Sequence, residues 1–368
     1  MRETWHAAGE TRDTGAKARS EEHTKFWNHE ETAKPLASFR IGNYFFATHY
    51  KAARKLLVKG QKISPAMLDV DSFLEDYEEQ YAAVSALNQS GFWTAEPYTG
   101  IPWMEAFWGC EIIAGEESFM ARPLVTEARD LEKLQFSMDN PWVDKYFEFV
   151  TKLNKLSQGR FPIGAPIMRG QGDTAGALMG QTAFIYALYE EPEIIKKTLG
   201  KIVDSFLRIY QEMHRLNAPF LGGSSMGLYH VWAPGESLWF QDDIGALLSP
   251  PLYREFLLEN EKRFCAGYRY TMMHLHPSSF HLLDAILSNQ YLKAVEINKD
   301  VGGPSITQML PQFRKVLEQG RCLIIWGDLT EAEIRIVFDH LPPRGIFFNI
   351  LLPDFDQAER INAFLNVL

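Results

Sequence analysis

Three cysteines, Cys110, Cys265 and Cys322, are all that the 368 residues contain. They are too far apart and too few for a disulfide framework or a C-x-x-C metal knuckle, so a reducing cytoplasm is the expected setting. Long apolar runs are scarce as well. Cys322-Leu-Ile-Ile-Trp326 and Ile346-Phe-Phe are strand-length, far short of the roughly 20 residues that a membrane helix needs. The first twenty residues are polar and charged, without the apolar core of a secretory leader, so none is expected. Positive charge is in deficit, with 37 Lys and Arg against 47 Asp and Glu and a net charge of -10. That balance argues against nucleic acid or an anionic membrane as partner. No G-x-G-x-x-G follows a strand candidate and no G-x-S-x-G elbow occurs, so neither dinucleotide binding nor serine hydrolysis has support. No repeat of fixed period and no low-complexity linker divides the chain.

What the chain has is alternation. Pro35 to Gly42 reads as a first strand, and Thr48 caps a helical run ending at Gly60. Helical spacing of Phe73, Tyr77, Tyr81, Val84 and Leu87 follows. Phe92 to Glu96 is a second strand candidate, and helical periodicity resumes from Thr126 to Gly159. Phe161 to Met168 is a strand, Thr174 to Tyr189 a helix, and Glu193 to Leu216 a long amphipathic helix. Ser237 to Gln241, Tyr270 to His276, Leu292 to Asn298, Arg321 to Trp326 and Gly345 to Asn349 are further strands. Caps at Ser249, Ser305, Thr330 and Asp354 open the helices between them, with Glu333 completing a capping box after Thr330. Strand, polar loop and helix repeated about eight times predict an α/β fold, a (β/α)8 TIM barrel with an N-terminal helical elaboration. Residues 1–34 form the extension and 35–368 the barrel.

In such a barrel the carboxyl ends of the strands converge on one mouth, where catalytic side chains collect. The residues delivered there are Glu96, Arg169 with Gln171 and Asp173, Asp242 and Asp243, His274 and His276, Glu296 and Asn298, Asp328, and Asn349. His274 and His276 lie two apart, so both rings can project to one side of a strand. With Glu296 from the next strand they can form a nitrogen and oxygen set suited to zinc, with an open fourth position. A satisfied core histidine, a turn cap and a simple salt bridge are the competing readings of those three. Arg169-Gly-Gln-Gly-Asp173 opens a helix and can receive a carboxylate or phosphate. Asp173 as a plain helix cap is the alternative. Trp103 belongs to an aromatic group that either lines a ligand site or fills the core.

Pro102-Trp-Met-Glu-Ala106 leading to Gly109-Cys110, Asp242-Asp-Ile-Gly245 with Leu248-Ser-Pro250, and the His274 strand followed by Glu296 and Gly327-Asp328 occur in a specific order. On these motifs the chain resembles the uroporphyrinogen decarboxylase superfamily over most of its length. It is nearer the cobamide-dependent methyltransferase branch than true uroporphyrinogen decarboxylase, whose Arg-Gln-Ala-Gly-Arg stretch near the N-terminus is missing. That branch binds zinc through a His-x-Cys pair and a later Cys. Here His274 matches the His, but His276 stands at the first Cys and the late strand carries Asn349. The resemblance implies a corrinoid-linked methyltransferase that demethylates a small methoxylated, aromatic compound, passing the methyl group to a corrinoid protein. His274, Asp242 and Asp243 would be catalytic and His274, His276 and Glu296 would bind the metal. Arg169, Gln171, Glu96, Trp103, Asn298, Asp328 and Asn349 would hold the substrate. A decarboxylase of another acid, or a binding protein that kept the fold without the chemistry, are the alternatives.

Overall fold

The computed structural model describes residues 15–42 and 47–368. Among the described residues eleven strands follow in chain order. They are β1 (Leu36–Ile41), β2 (Lys62–Ile63), β3 (Glu111–Ala114), β4 (Phe119–Arg122), β5 (Ser224–Met226) and β6 (Val231–Ala233). After them come β7 (Ser237–Gln241), β8 (Tyr270–Leu275), β9 (Ala294–Asn298), β10 (Cys322–Gly327) and β11 (Ile346–Leu352). Six of these make one parallel sheet in the order β1-β11-β10-β9-β8-β7. Two extended segments, 90–96 and 162–170, stand where strands were expected over Phe92–Glu96 and Phe161–Met168, and continue the sheet from both edges without forming regular strands. The Ser90 N–H donates to Ala37 O at 2.8 Å, Ala95 N–H to Pro162 O at 3.0 Å, and Gly170 N–H to Gln241 O at 2.7 Å. Pro97, Pro162 and Pro166 lack the donors that a full ladder needs, so these segments hold only isolated bridges at Ala95–Ile163 and Arg169–Gln241. The result is a mixed α/β, TIM-barrel-like architecture. None of the described helices is long and apolar enough to cross a membrane.

Alternation along the strands divides the apolar residues into two cores. Ala37, Phe39, Phe240, Met273, Val295, Ile325 and Phe348 face outward and pack beneath the helices. The long helix Pro192–Leu216 covers part of this face with Ile195, Leu199, Ile202, Phe206 and Ile209. Leu36, Trp239, Met272, Ala294, Ile324 and Phe347 face inward. The inner core is completed by Met226, Leu228, Tyr229 and Val231 of the β5–β6 hairpin and by Phe26 and Trp27 of the helix Ala16–Trp27.

The hairpin enters from the amino-terminal end of the strands. At its base Ser224 Oγ meets Ser237 Oγ at 2.8 Å, and its tip is keyed into the sheet by polar contacts. The Arg40 guanidinium donates to Leu228 O and the Asn349 amide to Tyr229 O. Gly227 passes so close that a Cβ there would lie 2.3 Å from both Ala165 O and Glu96 Oε2.

Several local expectations needed correction. The run after Thr48 forms 3-10 turns, Ala47–His49 and Lys51–Leu56, in place of an α-helix. The span 126–159 divides into Ala128–Leu131 and Pro141–Ser157. The helix expected over 174–189 starts at Gln171 and breaks at Gly180, whose φ of 90° ends one helix and begins another. The sheet β2-β3-β4 and the β5–β6 hairpin have strands of two to four residues, too short for a period-2 signal to register. The caps at Ser249, Ser305, Thr330 and Asp354 are all present, with full capping boxes at Ser305 and Thr330.

Gly227→Ala should cost about 1–3 kcal/mol of stability through overpacking at the hairpin tip. Gly267→Ala, where a Cβ meets nothing within 4 Å, should cost nothing measurable. Equal urea midpoints for the two variants would show that the hairpin tip is not held by close packing at Gly227.

Candidate functional site

β8 points His274 inward and ends at Leu275, one residue short of the expected strand, so His276 stands just past it and Pro277 opens a 3-10 turn. In the ladder His274 stands opposite Gln241 of β7 and Glu296 of β9. The His274 imidazole contacts the fully buried Glu296 carboxylate through Nδ1, and the Tyr229 hydroxyl lies 3.0 Å from the same nitrogen. Nε2 is left toward Asp243, whose Oδ1 is 3.9 Å away. The other Asp243 oxygen accepts from Gln241 Nε2 at 2.9 Å. The His276 ring stands at 89° to that of His274, with centroids 4.6 Å apart. Its Nδ1 is 2.6 Å from Asp300 Oδ1, an oxygen that Asn298 also bonds. Asp243, His274 and His276 therefore each offer one ligand atom, all within 4.8 Å of one another.

Charge at this point is set by the carboxylates. Burial alone pushes the His274 imidazole down, but the charge and hydrogen bond of Glu296, with Asp243 and Asp300 nearby, raise it to about 9. The three groups border a cavity of about 690 Å³. Its deeper walls are Ile167, Leu228, Tyr229, Trp326 and Leu351. Its rim comes from the loops after the strands, including Asn298 to Ser305 and Asp328.

Of the residues expected at the mouth, Asp243, His274, His276, Asn298 and Asp328 line this cavity. Glu296 stands behind His274, so the oxygen beside the two imidazoles is that of Asp243. Asp242 turns the other way. Its Oδ1 accepts from the Gly172 and Asp173 N–H groups at 2.7 and 3.0 Å, while Asp173 accepts from the Asp243 and Ile244 N–H groups at 2.9 and 2.7 Å. This reciprocal clamp fixes the backbone that carries Asp243. Asp173 is raised to about 7 by burial and by the Asp243 charge.

The remaining residues point elsewhere. Arg169 is held 2.6 Å from the buried Glu105, and Gln171 bonds Leu257 O and Asn260 behind its helix. Trp103 packs edge-on against Trp142, Tyr146 and Phe149, the core member of its two readings. Asn349 supports the Tyr229 backbone. Glu96 faces the hairpin tip, with Oε2 buried and unpaired. Sequence reasoning overlooked Tyr229, Trp326, Gln241, Asp300 and Lys299. Trp326 and Gln241 are the last inward residues of strands that were themselves legible, so the alternation already contained them. Tyr229 carried no such signal, because its hairpin was not visible.

With this geometry in hand, the chain can be set beside known proteins. No protein-family model and no curated protein matches it. Among solved structures, a methyltransferase from Methanosarcina mazei superposes with a TM-score of 0.65 over 95% of this chain and 98% of that one, at 12% identity. A likeness at that identity establishes a shared fold.

The Glu96 carboxyl is raised to about 8 by burial, with the Arg40 charge only partly opposing it. A folded value above the unfolded one means that its stabilising contribution is complete below the unfolded pKa and is lost as pH rises through about 8. Glu96→Gln keeps the shape without the ionisation. Its stability relative to the parent should therefore increase from about pH 5 to about pH 8 and level off above it, read from urea midpoints. A gap independent of pH would mean that Glu96 titrates normally.

Proposed function

We propose that the chain is a corrinoid-linked methyltransferase of the O-demethylase type, acting on a small methoxylated, aromatic compound. The observation that carries this reading is the convergence of Asp243, His274 and His276 at the carboxyl ends of neighbouring strands, inside a cavity. Likeness in fold to a methyltransferase supports it. So does the motif order that resembles the methyltransferase branch of the uroporphyrinogen decarboxylase superfamily. In this reading residues 35–368 form an eight-position (β/α) barrel, the two extended segments serving as its second and third strands, and residues 1–34 are an extension.

The donor set fits zinc: two imidazole nitrogens and a carboxylate oxygen, with a fourth position toward the cavity. Each ligand is also held at its other atom. Glu296 holds His274, Asp300 holds His276, and Gln241 holds Asp243. Such partners fix ring orientation and ligand basicity. Zinc bound there would supply a Lewis acid for an ether oxygen, and its oxygen and nitrogen ligands make it harder than a thiolate site would. Trp326 and Tyr229 offer flat walls for an aromatic ring, and Asn298 is placed to orient polar substituents. The cavity volume suits a small molecule. In this reading the methyl acceptor is a reduced corrinoid carried by a partner protein that docks over the mouth.

The decarboxylase reading has less support. Its carboxylate anchor, Arg169, is paired with Glu105. The cavity wall carries Asp243, Asp300 and Asp328, and Lys299 is already engaged by Asp328 and Glu333. An anionic substrate would meet repulsion there.

The purified protein should take up one equivalent of zinc, and His274→Ala should abolish that uptake in a chain that still folds, at a lower thermal midpoint because the buried Glu296 loses a partner. Mixing the protein with a cobalt(I) corrinoid protein and methoxyaromatic compounds should produce methylcobalt absorbance. Carbon dioxide release from an acid, without any methylcobalt signal, would transfer support to the decarboxylase.

A further inference from the structure

Tyr229 reaches the site from a direction that no barrel strand supplies. It sits at the tip of the β5–β6 hairpin, and its ring packs edge-on against Trp239 and Trp326 at centroid distances of 5.0 and 5.2 Å. The Asn349 amide holds its carbonyl. The hydroxyl lies 3.0 Å from His274 Nδ1, the same nitrogen that the Glu296 carboxylate contacts. A carboxylate has no proton to donate, so the hydrogen bonds of this trio run from Nδ1–H and from the phenol O–H to Glu296. The second Glu296 oxygen is buried without a partner. Its orientation therefore depends on those two donors.

We propose that Tyr229 is a positioning residue of the site: it holds Glu296 in the orientation that takes the His274 Nδ1 proton and so presents Nε2 to the cavity. This rests on the metal reading above, because Nε2 is the atom His274 would offer to zinc. It assigns the hairpin a role beyond filling the inner core. Tyr229 acts through Glu296 and need not touch the ion. Loss of such a partner weakens metal binding by about 10–100-fold.

The experiment titrates zinc and cobalt(II) into the full chain, into Tyr229→Phe, into Glu296→Gln and into the double variant. Phe keeps the ring that packs on Trp239 and Trp326, and thermal midpoints report whether the fold survives. The expected result is an affinity at least about tenfold lower for Tyr229→Phe, with displaced cobalt(II) absorption bands. On the Glu296→Gln background the same change should add nothing. Equal losses on both backgrounds would assign Tyr229 to packing alone and overturn the proposal, as would unchanged affinity in a parent that binds metal. No uptake by the parent would overturn the metal reading, and this proposal with it. If Tyr229→Phe does not fold, Asn349→Ala leaves the phenol in place but frees the tip, and the same dependence on Glu296 is expected.

Discussion

A fully buried carboxylate must find donors or give up its charge, because an unpaired ion in the interior costs several kcal/mol. Glu296 contacts the imidazole of His274, and the phenol of Tyr229, 3.0 Å from the same ring nitrogen, is placed as its second donor. Much of the local architecture follows from supplying them. β8 and β9 must be adjacent and in the register that sets His274 against Glu296. A third element must then bring the phenol to a place that no strand end reaches. The hairpin does this, and its approach explains why Gly227 meets Ala165 O and Glu96 at less than van der Waals distance from any added Cβ.

The same requirement accounts for the polar inner face. Ser38, Arg40, Gln241, His274, Glu296 and Asn349 occupy inward positions on strands whose lower inward residues are apolar. Side chains of that kind would be poor filling for a barrel packed by strand residues alone. Here the backbone carbonyls of Leu228 and Tyr229 accept from Arg40 and Asn349, so the hairpin tip satisfies the polar groups while closing the base of the cavity. Some groups remain without partners, among them Ser38 Oγ, Glu96 Oε2 and both ring nitrogens of His230. His230 itself is buried in a left-handed backbone conformation with φ of 55°.

How much of this the sequence could reveal depended on the physical range of each signal. Strand alternation and helix capping are local, so β1, β7 to β10 and the four caps were legible within a residue or two, while β11 runs three residues past its expected end. His274, His276 and Asp243 stood at or just past the ends of those strands, and they border the cavity that lies where strand ends meet. The direction of a carboxylate at such an end is not local. Asp242 and Asp243 are neighbours, yet one clamps a helix N-terminus and the other borders the cavity, because successive residues leave the backbone on opposite sides. Arg169 and Trp103 were likewise decided by partners distant in sequence, Glu105 for one and an aromatic core for the other. The hairpin was invisible since its strands have three residues each.

The electrostatics of the cavity point one way whichever cation occupies it. Asp243 and Asp300 surround the two imidazoles and Glu296 lies behind them, so positive charge is favoured at that spot. The field that raises His274 to about 9 against its own burial is also one that attracts a divalent ion. Proton and metal would compete for the same nitrogen, Nε2, since Nδ1 is committed to Glu296. Had Glu296 been a direct ligand, His274 would have lost the contact that fixes its ring. With the Asp243 oxygen beside the imidazoles and Glu296 behind, the anion count around an ion held there would be unchanged, and the imidazole keeps one defined face to the cavity.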